Sequence, residues 1–312
     1  VRSRAGPRAL GALAAVGAAC FTYGVAVERT AFRVRRVTAP VLPAGARPVR
    51  VLHISDIHLL PRQGRKRDFL RGLAGLEPDL VVTTGDNISS VDAVPALLES
   101  LGRLRDVPGV FVFGSNDFEV PRFKLPLRYL LGHSGSTRDG DGAGGVQRRA
   151  EHRPLPTGDL RAGLEESGWV YLDERTATLE VAGQTLHFRG TGDAHHDRDD
   201  YAAVAGPAAS DGLEIGVTHA PYTRLLDAMT ADGVGLILAG HTHGGQVCVP
   251  GHGALVTNCD LPSEKVAGLF PHEASGRRSL VHVSAGLGMS PFAPYRFACP
   301  PEVTLLTLAP RA

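Results

Sequence analysis

Two short stretches, Asp56-Ile57-His58 and His241-Thr242-His243, carry acids and imidazoles at a spacing that suits metal ions. On an extended or turning segment, side chains at i and i+2 share a face and can reach one cation or a neighbouring pair. Asp86, on the tight turn that Gly85 offers, and His219 complete the set. Mixed carboxylate and imidazole donors suit Zn, Mn or Fe rather than Mg or Ca. Two such ions about 4 Å apart, bridged by one carboxylate, activate a shared hydroxide and clamp a phosphoryl group. Asp86 is the natural bridge.

Ligands need rigid supports, and apolar runs supply them. Runs at 49–54, 80–84, 213–217 and 234–239 read as buried strands, and each ends at one of these acids or histidines. Another at 109–113 ends at Gly114. Phe69, Leu70, Leu73 and Leu76 recur at helical spacing, as does the stretch 91–104. Strand–helix–strand alternation predicts parallel pairing with right-handed crossovers. A helix at 159–166 and strands near 169–172, 177–181, 185–189, 280–283 and 303–308 follow. Ligands at strand ends would meet at one edge of an open α/β sheet.

Taken in order, Asp56-x-His58, Gly85-Asp86, Gly114-Ser115-Asn116-Asp117, His219 and Gly240-His241-Thr242-His243 resemble the motif series of the calcineurin-like metallophosphoesterase superfamily. The resemblance covers roughly residues 48–310. The run at 240–246 and the late Arg296 to Glu302 stretch resemble a subgroup with an N-terminal membrane or signal segment. That subgroup also resembles bacterial enzymes that cleave the pyrophosphate of lipid A precursors. The resemblance implies a two-sheet α/β sandwich flanked by helices, with the metals at the C-terminal ends of strands. It implies that Asp56, His58 and His243 hold one metal, His219 and His241 the other, and that Asp86 bridges them. The implied reaction is in-line attack by a metal-bridging hydroxide, with no covalent intermediate.

The third motif departs from the family's Gly-Asn-His-Asp/Glu. Strict register puts Ser115 at the ligand position and Asn116 at the acid position. A one-residue adjustment instead leaves Asn116 as the metal ligand and removes the acid, and this is the preferred reading, because a serine hydroxyl is a poor neutral ligand for these ions. Either way the usual histidine acid is missing, which matters least for leaving groups of low pKa. Asp86, Asn116, Asp117 and His195 are the candidate catalytic groups. His195 belongs to the cluster Asp193-Ala194-His195-His196-Asp197, whose histidines could supply the proton or form only a solvated loop or outer-shell partner. Arg296 is a candidate for the substrate phosphate, with a structural ion pair as the alternative. His53 reads as a packed or supporting residue; His252, His272 and His282 read as surface or core.

The surroundings bound the function. The chain has 312 residues and a formal net charge of +1, so no strong field recruits nucleic acid, and none is expected as a partner. A phosphoester substrate and two transition-metal ions (Mn, Zn or Fe) are. Residues 9–27 carry no charge and follow Arg2, Arg4 and Arg8. The segment 1–28 is read as a membrane anchor; a cleaved signal at Gly24-Val25-Ala26 and a soluble Ala-rich helix compete. The upstream arginines favour a cytoplasmic N-terminus and an exported catalytic domain. Residues 29–47, with Pro40, Pro43 and Gly45, read as a linker, and 48–312 as the catalytic domain. An insertion at 133–156, preceded by Arg122, Lys124 and Arg128, could be a lid over an anionic substrate or a solvated, disordered loop. Cys248 and Cys259 could bridge outside the cytosol, or remain buried thiols beside Cys20 and Cys299. Two rivals remain open: a lipid-linked pyrophosphatase or phospholipid hydrolase, and a catalytically silent metal-binding module.

Overall fold

A computed structural model describes residues 5–121 and 154–311 of the chain. Arg122, Lys124, Arg128 and the expected lid up to residue 153 lie outside the described residues. Helix α1 (Ala5–Ala26) leads to strand β1 (Arg33–Leu42). Then come β2 (Val49–Ile54), α2 (Gly64–Gly72), β3 (Leu80–Thr83), α3 (Ala93–Leu101) and β4 (Gly109–Phe111). After the insertion the chain forms α4 (Thr157–Glu165), β5 (Val170–Tyr171), β6 (Arg175–Val181) and β7 (Gln184–Thr191). Next are β8 (Leu213–Thr218), α5 (Thr223–Asp232), β9 (Leu236–Ala239) and the short pair β10 (Cys248–Val249) and β11 (Gly253–Ala254). Strands β12 (Gly268–Ala274), β13 (Arg277–Val283) and β14 (Glu302–Pro310) close the fold.

Among the described residues two six-stranded sheets result, ordered β1-β14-β2-β3-β4-β5 and β12-β13-β9-β8-β7-β6, along with the small β10-β11 pair. Their inner faces meet through alternate residues: Val49, Val51, Leu80 and Val82 from one, Ile215, Val217, Leu236 and Leu238 from the other. The intervening residues turn outward, where Leu52, Ile54 and Val81 pack beneath Leu70, Leu97 and Leu160 of α2, α3 and α4. On the opposite side Ile237 and Val281 pack beneath Leu225, Leu226 and Met229 of α5. Strands covered on both faces need apolar side chains, which is why β9 is an unbroken apolar run and β3 is one up to its last residue, Thr83. The result is a two-sheet α/β sandwich flanked by helices. Strands β2, β3 and β4 run parallel in one sheet, and β7, β8 and β9 in the other.

The linker expected at 29–47 is corrected. Residues 33–42 are extended but paired, forming an edge strand parallel to β14. Arg33 and Arg35 both reach the buried Glu302 carboxylate, at 3.0 and 2.9 Å. The prolines are tolerated because an edge strand has a side that needs no donors. The same rule explains β12, which carries Pro271 and, among the described residues, pairs only with β13. The cysteines are free: Cys259 is buried against α5, and Cys248 Sγ lies 3.3 Å from the Gly244 carbonyl.

Residues Gly11–Thr30 are long and apolar enough to cross a membrane, a test that signal sequences and core helices can also pass. The segment is tied to the domain at its C-terminal end. The rings of Phe21 and Tyr295 lie 6.2 Å apart, those of Tyr23 and Phe297 6.4 Å. Glu28, buried, accepts the Ala298 and Cys299 backbone N–H groups at 3.0 and 2.6 Å.

Candidate metal centre

The C-terminal ends of β2, β3 and β4 face those of β7, β8 and β9, and the acids and histidines gather between them. Among the described residues two groups form, each with one donor atom per residue and all those atoms within 4.8 Å of one another. The first is Asp56, His58, Asp86 and His243; the second is Asp193, His219 and His241. Asp86 also joins the two groups: its Oδ2 is 3.4 Å from His58 Nε2 and 3.6 Å from His219 Nε2. His58 Nε2 and His243 Nε2 lie 3.3 Å apart, as do His241 Nδ1 and His219 Nε2.

The backbone is bent to achieve this. Asp56, His58, Asp86, His241 and His243 all have φ between 45° and 68°, a region non-glycine residues rarely occupy. Strain concentrated in this way marks sites where surrounding structure over-determines the geometry. Gly114 and Gly240 have to lack a Cβ, because one would run into Asp86 and His219, or into Ser55 and Asp56.

Supporting hydrogen bonds orient the donors. His219 Nδ1 is 2.7 Å from the Thr84 carbonyl, and His241 Nε2 is 3.0 Å from that of Asn258. This leaves His219 Nε2 and His241 Nδ1 facing the site, the orientation that carbonyl partners impose on ligating histidines. A chain of contacts runs from His282 through His53 (2.9 Å), Thr84 (3.0 Å) and Ser55 (2.6 Å) to Asp56 Oδ2 (2.5 Å). His53 and His282 are thus buried between the sheets. Lys66 of α2 donates to the Ile57 carbonyl at 2.6 Å.

Electrostatics follow from packing these charges together. Burial pushes Asp56 up to about 6, against the pull of His219. Burial alone would lower His219, but Asp86, Asp193 and Asp56 lift it to about 10. Burial and the neighbouring His195 and His219 hold His241 down at about 3. Burial likewise lowers His58 to about 4, with Asp86 opposing. Burial opposes ionisation of Asp193 as well, yet His219 and His241 hold it at about 2. A cavity filled with ionised carboxylates and imidazoles has the donor chemistry for two borderline-soft cations, which replace protons as they bind. The residues fit the ions that the motif pattern implies.

The other expected residues fall in different places. Asn116 donates its backbone N–H to Asp86 Oδ1 at 2.9 Å and its side-chain amide to Asp86 Oδ2 at 2.7 Å. Asp117 is fully buried and accepts from the backbone N–H groups of Asn87 (2.6 Å), Ile88 (3.3 Å) and Gly114 (3.1 Å). That position braces the β3 and β4 loops and gives it no route to substrate. His195 lines the cavity, its ring centre 4.4 Å from that of His241 and its Nδ1 2.8 Å from the Tyr222 hydroxyl. Arg296 is corrected: it is 0% exposed. Its guanidinium donates to the carbonyls of Gly288 (2.6 Å), Ala285 (2.8 Å), Gly286 and Cys299 (both 3.1 Å) and His243 (3.3 Å). It lies behind the site, locking together the loops that carry His243, and no phosphate can reach it.

Asp193 is the residue whose place the sequence reading missed. Thr191-Gly192-Asp193 leads out of β7 much as Thr84-Gly85-Asp86 follows β3, and that repeated tripeptide was the available signal. A cavity of about 430 Å³ opens over both groups, with Val247, Leu255, Val256, Phe292 and Tyr295 in its wall.

A sandwich with two donor groups joined by one carboxylate at facing strand ends defines a class of α/β fold suited to binding metal. Sequence comparison narrows the class. The family model for calcineurin-like phosphoesterases matches residues 49–245, and the chain belongs to that family. A transmembrane protein with metallophosphoesterase domain from Bos taurus is 28% identical over 226 residues, covering 69% of this chain and 45% of that protein. The uncharacterized protein YpbG of Bacillus subtilis (strain 168) is 26% identical over 65% of this chain and 64% of its own length. The uncharacterized metallophosphoesterase YkuE of the same organism is 24% identical over 97% of this chain and 94% of its own length. The chain therefore spans under half of the bovine relative and under two thirds of YpbG, but nearly all of YkuE.

Proposed function

We propose that the chain hydrolyses phosphoesters with two transition-metal ions, Mn, Zn or Fe, held by Asp56, His58 and His243 on one side, His219 and His241 on the other, and Asp86 between. The observation that carries this reading is the position of Asp86, within 3.6 Å of a histidine from each group at the floor of an open cavity. Bound there, the ions supply a nucleophile at neutral pH and neutralise charge on the phosphoryl oxygens. The chain's own residues fix where that happens. Asn116 holds the shared carboxylate in one orientation through two hydrogen bonds. Asp117 and Arg296 hold the loops, so the donors need no rearrangement as charge develops. His195, in the cavity wall with its ring close to that of His241, is the residue we assign to give a proton to the departing oxygen.

The test is removal and return of metal. Chelation is expected to abolish hydrolysis of an aryl phosphodiester, and Mn or Zn to restore it. Metal-loaded protein inert toward a broad panel of monoesters, diesters and pyrophosphates would instead mark a silent metal-binding module.

A membrane-borne substrate, a lipid-linked pyrophosphate or a phospholipid, is the second reading. It is favoured by the apolar wall of the cavity and by the packing of α1 against Tyr295 of that wall and against Phe297. On this reading α1 anchors the enzyme, with the arginines ahead of it in the cytoplasm and the catalytic domain outside. Faster cleavage of a phospholipid in vesicles than of a soluble diester would support it; no cleavage of vesicle lipid would remove it.

A further inference from the structure

The third motif leaves the second cation short of an oxygen donor. Ser115 stands where the family resemblance places an asparagine, and a neutral hydroxyl is a weak donor for these ions. Asn116 directs its amide nitrogen, not an oxygen, at Asp86. Without another donor the second group would have two imidazoles and a share of Asp86, against a full carboxylate more on the first side.

Asp193 stands in the gap. It lies just beyond the end of β7, beside the neighbouring strand β8 that His219 follows, and its carboxylate lies within 4.8 Å of the donor atoms of both His219 and His241. Its side chain is nearly fully buried, at 1% exposure. Two partners are backbone N–H groups: Ser115 to Oδ2 at 3.1 Å and His195 to Oδ1 at 2.9 Å. A carboxylate has about four acceptor positions, so capacity remains on the side facing the histidines. Capping the short turn at 194–196 does not explain an acid here, since asparagine or serine caps equally well without the cost of burying a charge. The Ser115 N–H bond also ties this carboxylate to the altered motif itself.

We propose that Asp193 is a ligand of the second cation, supplying the oxygen that the altered third motif withholds. Each cation then has the same donor set: two histidines, one carboxylate of its own (Asp56 or Asp193) and a share of Asp86. The proposal rests on the two-cation reading above and adds a residue to it.

The test uses cobalt(II) on the full chain, followed by equilibrium binding and by the visible absorption of the bound ion. The unaltered protein is expected to take up two equivalents. Asp193→Asn, nearly isosteric and able to accept the His195 N–H, is expected to bind the first with unchanged affinity and the second at least ~100-fold more weakly, beyond the 10–100-fold typical of outer-shell changes. Ser115→Ala is expected to leave both affinities within a few-fold. Two equivalents bound by Asp193→Asn with unaltered affinity and spectrum would overturn the proposal while leaving the two-cation reading intact. Fewer than two equivalents bound by the unaltered protein would overturn that reading itself. A crystal structure of the cobalt-loaded unaltered protein decides the point without a variant. An Asp193 oxygen about 2.0–2.2 Å from the second ion supports the assignment, and one beyond about 3 Å refutes it.

Discussion

Replacing Arg296 by methionine separates two accounts of the same residue. In the structure its guanidinium is buried and donates to five backbone carbonyls, four of them at 3.1 Å or less. Methionine fills much of the volume but donates nothing, so carbonyls of Ala285, Gly286, Gly288 and Cys299 lose their partner. Each short bond is worth about 1 kcal/mol net, so roughly 4 kcal/mol is at stake, and relief from burying the charge returns some of it. A loss of about 3 kcal/mol should lower the urea midpoint by about 1 M or more, given slopes of about 1–3 kcal/mol/M. The loops at 243 and 285–288 loosen together, so metal affinity at His243 should fall before substrate affinity does. The assay is urea unfolding beside KM for an aryl diester at saturating metal. An unchanged midpoint with KM raised tenfold would mean that Arg296 reaches substrate, and the structural account would be wrong.

Asp86→Asn should slow turnover at least ~100-fold, the loss expected when a main electrostatic element of a site is removed, and near-normal steady-state rates would contradict its shared role. His195→Ala should slow esters of alkyl alcohols by about 100-fold while sparing p-nitrophenyl esters, whose leaving group needs no proton; equal losses on both would remove His195 as the acid. Asp173 accepts from the Tyr171 hydroxyl and the Phe113 N–H, and burial lifts it from 3.8 to about 7. The folded state therefore keeps a proton that the unfolded state gives up, and stability falls as pH rises from about 4 to 7. Asp173→Asn should abolish that part of the slope and gain up to about 4 kcal/mol at pH 8, less at pH 5, in urea unfolding; a variant no more stable at pH 8 than the unaltered protein would show the carboxyl ionises freely.

Much of this was legible because each donor follows a strand. Apolar runs ending at Asp56, Asp86, His219 and His241 are a local signal, and the family resemblance orders them. What was hidden depends on partners far along the chain. Strand β1 looks like a linker because its arginines find Glu302 only across 269 and 267 residues. Arg296 looks like an anion binder until five carbonyls from residues 243 to 299 converge on it. Asp193 shares its Thr-Gly-Asp tripeptide with Asp86, but the polar run that follows, to Asp200, reads as a solvated loop. The left-handed backbone at five donor positions has no local mark, since none is glycine; the packed loops impose it.

The central claim is that two cations act together across Asp86. Titrating manganese into metal-free protein while following hydrolysis of bis-p-nitrophenyl phosphate tests it most directly. Turnover should stay low while the first equivalent binds and rise to its plateau as the second does. Full turnover with a single bound equivalent, or after complete chelation, would contradict it.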